Sequence, residues 1–420
     1  MSLVHDVTGQ ASRARSASYF MSSLSSAEKN TILKDMAGSL LAEQAYLIRE
    51  NKKDIRAARA AKLSRALLDR LTLTQGRIDA MAAGLYKLAE LADPCGEVIR
   101  AWRVSSGLWI HKVRVPLGVA AIIYESRPNV TADCIGLCFK SGNCVILKGG
   151  SEALNSNRAI YRLLAGVLKR HGLPEGVVEM IDTTRRRAVN VLLGLDRYID
   201  VVIPRGGEGL INMVAKMSRI PVIKHYKGVC HVFVDEWADL NMAQSVCFNA
   251  KVQRPGVCNA MESLLVHREV AARFLPPMAK KFRDAGVKLK GCPSTCAILK
   301  GKGVRRATEE DFRTEYLDLV LSVKVVDGME EAVEHINGYG SHHSDAIITE
   351  NYENAVSFLN RIDSACVYVN ASTRFTDGDQ FGMGAEIGIS TDKIHARGPM
   401  GLEELTTYKY MVFGNGQIRA

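Results

Sequence analysis

Residues 144–152 read Cys144-Val145-Ile146-Leu147-Lys148-Gly149-Gly150-Ser151-Glu152, and this stretch decides the fold. A short apolar run rich in β-branched residues predicts a strand buried on both faces, Cys144 to Lys148. The turn Gly149-Gly150-Ser151 then leads into a long helical pattern, Glu152 to His171. Outward from this core the same alternation continues. Before it come strand Val119 to Tyr124 and helix Asn129 to Lys140. After it come strand Val177 to Ile181, helix Arg186 to Leu193 and strand Asp200 to Ile203. The turn Arg205-Gly206-Gly207-Glu208-Gly209 opens helix Leu210 to Met217, and strand Val222 to His225 follows. Strand and helix in alternation predict a doubly wound α/β parallel sheet, whose ligands lie outside the carboxyl ends of its strands. The Gly-x-Gly-x-x-Gly fingerprint is absent. The turns at 149–150 and 206–209 are candidates to cradle a nucleotide, since helix N-termini attract phosphate; an ordinary tight turn is the plainer reading of each.

A second α/β unit begins near Val232-Phe233-Val234-Asp235. It predicts helix Leu240 to Lys251, strand Ser263 to Val266, helix Val270 to Ala285 and strand Leu319 to Val326. Helix Met329 to Asn337, strand Asp345 to Thr349, helix Tyr352 to Arg361 and strand Ala365 to Asn370 complete it, before a glycine-rich stretch from Arg374 to Gly388. At the other end, residues 1 to about 90 read as helices, among them Ser26 to Glu50, Lys52 to Ala61 and Thr74 to Ala92. Val98 to Val104 and Leu108 to Val115 flank Ser105-Ser106-Gly107 as a hairpin. Such a ribbon serves subunit contact or is a plain edge hairpin, and the β-prone Leu405 to Phe413 is expected to pair with it.

Between the second unit's first helix and strand lies Lys251-Val252-Gln253-Arg254-Pro255-Gly256-Val257-Cys258-Asn259-Ala260. Proline and glycine force a break there, so Cys258 stands on a loop. A cysteine so presented is a candidate nucleophile, although most cysteines are small buried hydrophobes. Both readings stay open on these residues alone.

Composition narrows the class. At 420 residues, 47% hydrophobic and 24% charged, the chain has the balance of a globular enzyme of two or three domains. No apolar run approaches the ~20 residues that span a bilayer, and Met1 to Phe20 lacks the apolar core of a secretory signal. Ten cysteines without a Cys-x-x-Cys pair or nearby histidines predict reduced thiols in a cytoplasm and no metal. The net charge of +10 suits anionic, phosphorylated ligands better than nucleic acid, since no nucleic-acid motif accompanies it. Arg185-Arg186-Arg187 reads as a solvated helix start.

The order of parts resembles the aldehyde dehydrogenase superfamily, and more closely its branch of γ-glutamyl phosphate reductases, over nearly the whole chain. The resemblance lies in Tyr124-Glu125-Ser126-Arg127-Pro128-Asn129-Val130-Thr131, Val145 to Glu152, Ile203-Pro204-Arg205-Gly206-Gly207 and Gln253 to Asn259. Tyr368-Val369-Asn370-Ala371-Ser372-Thr373-Arg374-Phe375-Thr376-Asp377-Gly378 and His395-Ala396-Arg397-Gly398-Pro399-Met400-Gly401-Leu402 complete the set. Together these are specific; none is so alone. The resemblance implies an NADP-binding domain (1–97 and 118–229), a catalytic domain (230–395) and a small β oligomerisation element (98–117 and 396–420) in a homo-oligomer.

It also implies roles. Cys258 matches the catalytic thiol that attacks L-glutamyl 5-phosphate and forms a thioester for NADPH to reduce. The Asn129 amide and the Cys258 N–H match the oxyanion donors; a helix N-cap is the plainer role for Asn129. Lys148 matches the lysine that reaches the adenosine ribose or its 2′-phosphate. Ser151 stands where NAD-specific members carry a glutamate, which favours NADP, although Glu152 is adjacent. Gly206 and Gly207 are expected near the cofactor, and Glu315 matches the acid that contacts the nicotinamide ribose. Hydrolytic members carry a general-base glutamate where this chain has Lys224, so its thioester is expected to be spared from water. Arg127, Lys224, Arg374 and Arg397 are candidates for the substrate's anionic groups. Transient contact with the glutamate 5-kinase that makes the labile acyl phosphate is a further expectation. The competing readings are a hydrolytic or coenzyme A-acylating relative, a non-catalytic nucleotide-binding scaffold and, most distant, a basic nucleic-acid binder.

Overall fold

A computed structural model describes residues 2–224 and 227–419. The chain forms two compact units, Met1–Lys224 with Gly382–Gly388 and Met400–Ala420, and His225–Phe381 with Ile389–Pro399.

The first unit opens with helices α1 (Leu3–Met21), α2 (Ser26–Ala42), α3 (Gln44–Ala60), α4 (Arg65–Leu71) and α5 (Gln75–Glu90). Ser25 and Glu28 form a capping box that starts α2, and the Thr74 side chain caps α5, satisfying N–H groups that a helix leaves unpaired. The expected break between Glu50 and Lys52 lies elsewhere: α2 ends at Ala42, and α3 runs through Asn51. Asn51, a poor helix former, is accommodated because its amide bonds to Leu71 O (2.8 Å) and Ser156 Oγ (3.0 Å) and accepts from Leu73 N (2.8 Å).

Strands β1 (Val98–Arg103), β2 (Trp109–Pro116) and β3 (Val119–Tyr124) follow, then α6 (Asn129–Lys140), β4 (Cys144–Gly149), α7 (Leu154–Arg170) and β5 (Val178–Met180). Helix α8 (Arg187–Leu192), β6 (Val201–Arg205) and α9 (Glu208–Met217) complete the run. The sheet order is β5-β4-β3-β6, every pair parallel, and β3 and β4 are buried along their whole length. The chain builds outward from β3 first to one side and then to the other. In sheets of this kind the ligand crevice lies outside the carboxyl ends of the strands at that reversal, here β3 and β6. The strand expected at Val222 to His225 shrinks to an isolated bridge from Val222 to Val202, and His225 lies outside the described residues.

The second unit contains β7 (Cys230–Val234), α10 (Leu240–Val252), β8 (Met261–His267), α11 (Arg268–Asp284), β9 (Lys288–Gly291), α12 (Pro293–Ile298) and β10 (Val304–Arg306). It continues with β11 (Val320–Val326), α13 (Met329–Tyr339), β12 (Ser344–Ile348), α14 (Tyr352–Arg361) and β13 (Cys366–Val369). Its sheet is parallel throughout, in the order β10-β9-β11-β8-β7-β12-β13. The β9-α12-β10 unit was not legible in the sequence: two short lysine- and arginine-bearing strands at a sheet edge carry little apolar pattern.

Two short strands, β14 (Gly388–Ser390) and β15 (Gly398–Met400), pair where the chain changes unit. Residues Gly382–Gly388, read from sequence as part of 230–395, pack in the first unit, with Gly384 against Leu91 and Gly388 against Arg205. The last strand, β16 (Thr406–Phe413), pairs antiparallel with β2 from Thr406↔Pro116 to Phe413↔Trp109, forming the three-stranded sheet β1-β2-β16 anticipated from the hairpin. Tyr408, Tyr410, Val412 and Phe413 on this edge strand are exposed.

Candidate active site

In the second unit, the amino ends of four neighbouring parallel strands, β11, β8, β7 and β12, lie along one edge of the sheet. The residues leading into them are thereby brought together: Glu315 to Leu317, Cys258 and Asn259, Gly228 and Val229, and Ser341 to His343. The rule that ligands sit at carboxyl ends describes the first unit's crevice, whereas Cys258 stands at an amino edge.

Cys258 is half-buried on the loop after α10, which Pro255 and Gly256 prevent from continuing as helix. Its backbone is held at the carbonyl and through the residue that follows. Cys230 Sγ donates to Cys258 O at 3.2 Å. Asn259 Nδ2 donates to Thr376 O (2.8 Å), and Thr373 Oγ1 donates to Asn259 O (2.7 Å). Gly228 lies so close that a Cβ there would fall 1.9 Å from Cys258 O, an approach only glycine permits. The Gly228 N–H in turn donates to Glu315 Oε1 at 2.9 Å. Gly228, Cys230, Thr373 and Thr376 were not singled out in the sequence. Their signal was the position of Gly228 two residues before a strand, and the two threonines within the Tyr368 to Gly378 motif.

Of the candidate arginines, Arg374 belongs to this loop: its Nε donates to Gln253 Oε1 at 2.8 Å. Burial lowers its pKa first and Arg254 next, while nearby Cys258 and Asp377 favour its charge. The Arg374 guanidinium thus lies within electrostatic reach of the thiol. Arg397 is committed elsewhere, with Nη1 on Asp363 Oδ1 (2.9 Å) and Nη2 on Asp363 O (3.0 Å), beside the Lys393–Asp363 ion pair.

The remaining candidates lie in the first unit. Asn129 is the first residue of α6 but does not cap it; the cap position is Pro128. Its Nδ2 instead donates one turn ahead to Asp133 Oδ2 at 2.9 Å. Burial pushes the Asp133 carboxyl up to about 6, against the pull of this bond and of Arg205. Asn129 is therefore held by one amide hydrogen, leaving its chemistry as a donor to the other. Arg127 is exposed on the same β3–α6 loop. That loop is tied by Ser126, whose N and Oγ donate to Glu152 Oε1 at 2.6 and 2.8 Å. Lys224 is half-buried and precedes the undescribed 225–226.

At the carboxyl end of β4, Lys148 is buried with its Nζ on Gly149 O at 2.6 Å; burial lowers its pKa, and Glu152 and Asp182 oppose this. Ser151 is exposed beyond it. The adjacent strand leaves the sheet where Ile181 N donates to Leu147 O (2.9 Å), and Asp182 pairs with Arg158. Arg185, Arg186 and Arg187 follow, all exposed, and none forms an ion pair among the described residues. A buried lysine ammonium and an exposed serine hydroxyl at this strand end are donors suited to a phosphorylated ribose. At the β6–α9 turn, the Glu125 carboxylate accepts from Gly207 N at 2.9 Å and fills the space beside Gly206. A phosphate there would displace that carboxylate. Among the described residues, no group of three or more His, Cys, Asp or Glu is placed to hold a metal ion, and no helix is long and apolar enough to cross a membrane.

A parallel-sheet unit with a nucleotide-type crevice and a second unit presenting a cysteine on a held loop define a class. The chain belongs to the aldehyde dehydrogenase family, whose model matches residues 4–295, and is an oxidoreductase. Within that family its most informative likenesses run the full length. It is 56% identical over 413 residues, 98% of each chain, to a protein of Thermodesulfovibrio yellowstonii named gamma-glutamyl phosphate reductase. It is 55% identical over 419 residues, 100% of each, to one so named in Halothermothrix orenii. The crystal structure of gamma-glutamyl phosphate reductase from Thermotoga maritima superposes with a TM-score of 0.96 at 48% identity, covering 99% of this chain and 100% of that one.

Proposed function

We propose that the chain reduces L-glutamyl 5-phosphate to L-glutamate 5-semialdehyde with release of phosphate, the second step in making proline from glutamate, through a thioester on Cys258. The observation that carries this reading is the seating of Cys258: a half-buried thiol on a loop gripped through its backbone, with Arg374 nearby. The thiolate Sγ attacks the acyl carbon, the bond to the phosphate oxygen breaks, and phosphate leaves. NADPH, when bound, supplies the hydride that brings the thioester to the aldehyde level. The second tetrahedral species collapses by breaking the carbon–sulfur bond, which frees the aldehyde and regenerates the thiolate. Both tetrahedral species bear an oxyanion, for which the Cys258 N–H and the second Asn129 amide hydrogen are the donors. Lys224, in place of a carboxylate base, leaves water unactivated against the thioester.

Lys148, Ser151, Gly206, Gly207 and Glu315 hold the cofactor in this reading. NADP is favoured because Ser151 carries no charge. The charge of neighbouring Glu152 is spent on Ser126, and among the described residues Arg185, Arg186 and Arg187, which follow β5, form no ion pair. Arg127 and Arg374 meet the substrate's phosphate and carboxylate; Arg397, bound to Asp363, is left out. The exposed apolar edge strand β16 serves a homo-oligomer, and the kinase that makes the acyl phosphate is a transient partner. Ten cysteines outside disulfides suit a reducing cytoplasm. Replacing Cys258 by alanine should abolish reduction while NADPH still binds. Retained turnover refutes the proposal, and a requirement for coenzyme A in place of phosphate redirects it to an acylating relative.

A further inference from the structure

Two fully buried charges bracket the nucleophile loop: Lys251 in the last turn of α10 and Glu262 in β8. Lys251 Nζ lies 2.5 Å from Glu262 Oε2. The other carboxylate oxygen, Oε1, accepts from Leu317 N at 3.1 Å. Leu317 sits at φ 52°, a left-handed conformation that a leucine rarely adopts and that needs an external hold. Two residues earlier, Glu315 takes the Gly228 N–H, and Gly228 presses on the Cys258 backbone. The contacts close a ring: Lys251, Glu262, Leu317, Glu315, Gly228, Cys258, and back along the loop to Lys251.

Stability does not account for such a pair. Burying two charges strips both of their solvation, and well-packed apolar replacements are often neutral or better. We infer that Glu262 is the positioning residue of the site. One of its oxygens clamps the two stems of the Cys258 loop through Lys251. The other fixes the 315–317 turn, which sets Glu315 and, through Gly228, the height of the thiol. Loop and cofactor-side acid are thus registered to one carboxylate. The inference rests on Cys258 being the nucleophile.

The test compares wild type with two charge-free doubles, Lys251→Met/Glu262→Gln and Lys251→Met/Glu262→Leu. Glutamine retains an acceptor for the Leu317 N–H; leucine does not. Thermal unfolding, kcat, KM for NADPH and the rate of Cys258 alkylation by iodoacetamide are measured on the full chain. The leucine double should fold, lose tenfold or more in kcat, show a raised KM for NADPH and alter the alkylation rate, while the glutamine double keeps at least fivefold more activity. A smaller loss in the leucine double overturns the inference. So do equal losses in both doubles, which would assign the effect to the charges alone. Should neither double fold, Glu262→Asp answers the same question, keeping the charge and withdrawing the carboxylate by one methylene. A tenfold fall in kcat upholds the inference and a smaller one overturns it. A Cys258→Ala protein with full activity would reject the nucleophile itself. Cys258-dependent turnover indifferent to residue 262 would reject only the positioning role.

Discussion

Gly228→Ala is the sharpest single-atom perturbation the site offers. The added methyl would fall 1.9 Å from Cys258 O, 2.5 Å from its carbonyl carbon and 2.6 Å from its Cα. These are backbone atoms, so no side chain can swing aside. Regaining ordinary contact of about 3.4 Å requires the nucleophile loop to retreat by about 1.5 Å. Misplacing a reacting group by about 1 Å can cost on the order of 10²-fold in rate, so kcat should fall by about two orders of magnitude. Overpacking at one loop should cost only about 1–3 kcal/mol of stability, so the protein remains folded. The assay is kcat for phosphate-dependent oxidation of glutamate semialdehyde, read as NADPH absorbance, with circular dichroism and thiol titration to establish fold and an intact Cys258. A folded Gly228→Ala protein with kcat within threefold of wild type would refute the claim that this contact sets the thiol's position.

Other expectations are as direct. Asn129→Ala should lower kcat by about 10²–10³ with little change in KM, as expected for an oxyanion donor; a pure KM effect would argue otherwise. Arg374→Lys replaces a planar fork that also holds Gln253, and should raise KM for the acyl phosphate by about tenfold. The Asp133 carboxyl, raised to about 6, binds its proton more tightly in the folded than in the unfolded state. Stability should therefore fall as pH rises from about 4 through 6, and Asp133→Asn should flatten that limb in urea titrations at successive pH values. His335, held down to about 2 chiefly by burial, has the opposite sign: its contribution is present above the unfolded value near 6.5 and is lost as pH falls below it. Val412→Lys with Phe413→Asp on the exposed strand β16 should shift the protein to a smaller species in sedimentation without unfolding it.

Much of the fold was legible because its central strands are continuous apolar runs; β3 and β4, buried on both faces, leave no other reading. The pairing of β16 with the hairpin was legible from β-propensity alone. Asn51 shows the limit: a helix-breaking amide becomes tolerable when residues 20 and 105 positions away satisfy it. The site divides in the same way. Cys258, Asn129 and Arg374 were visible as residue types in motifs. What Asn129 does with its first amide hydrogen was not, because Asp133 one turn along looked like any helix carboxylate. Nor did Arg397 betray its bond to Asp363. Gly228 and Glu262 were hidden for a simpler reason. A close backbone approach and a buried ion pair leave no pattern in sequence until parallel strands bring their amino ends together.

The central claim is that Cys258 forms an acyl thioester that waits for phosphate rather than water. The most direct measurement incubates the protein with glutamate semialdehyde and NADP in the absence of phosphate, quenches with acid and maps the peptides by mass spectrometry. A glutamyl adduct on the Cys258 peptide, discharged when phosphate is added before the quench, is the predicted result. An adduct on another cysteine, or none while NADPH continues to form without phosphate, would contradict it.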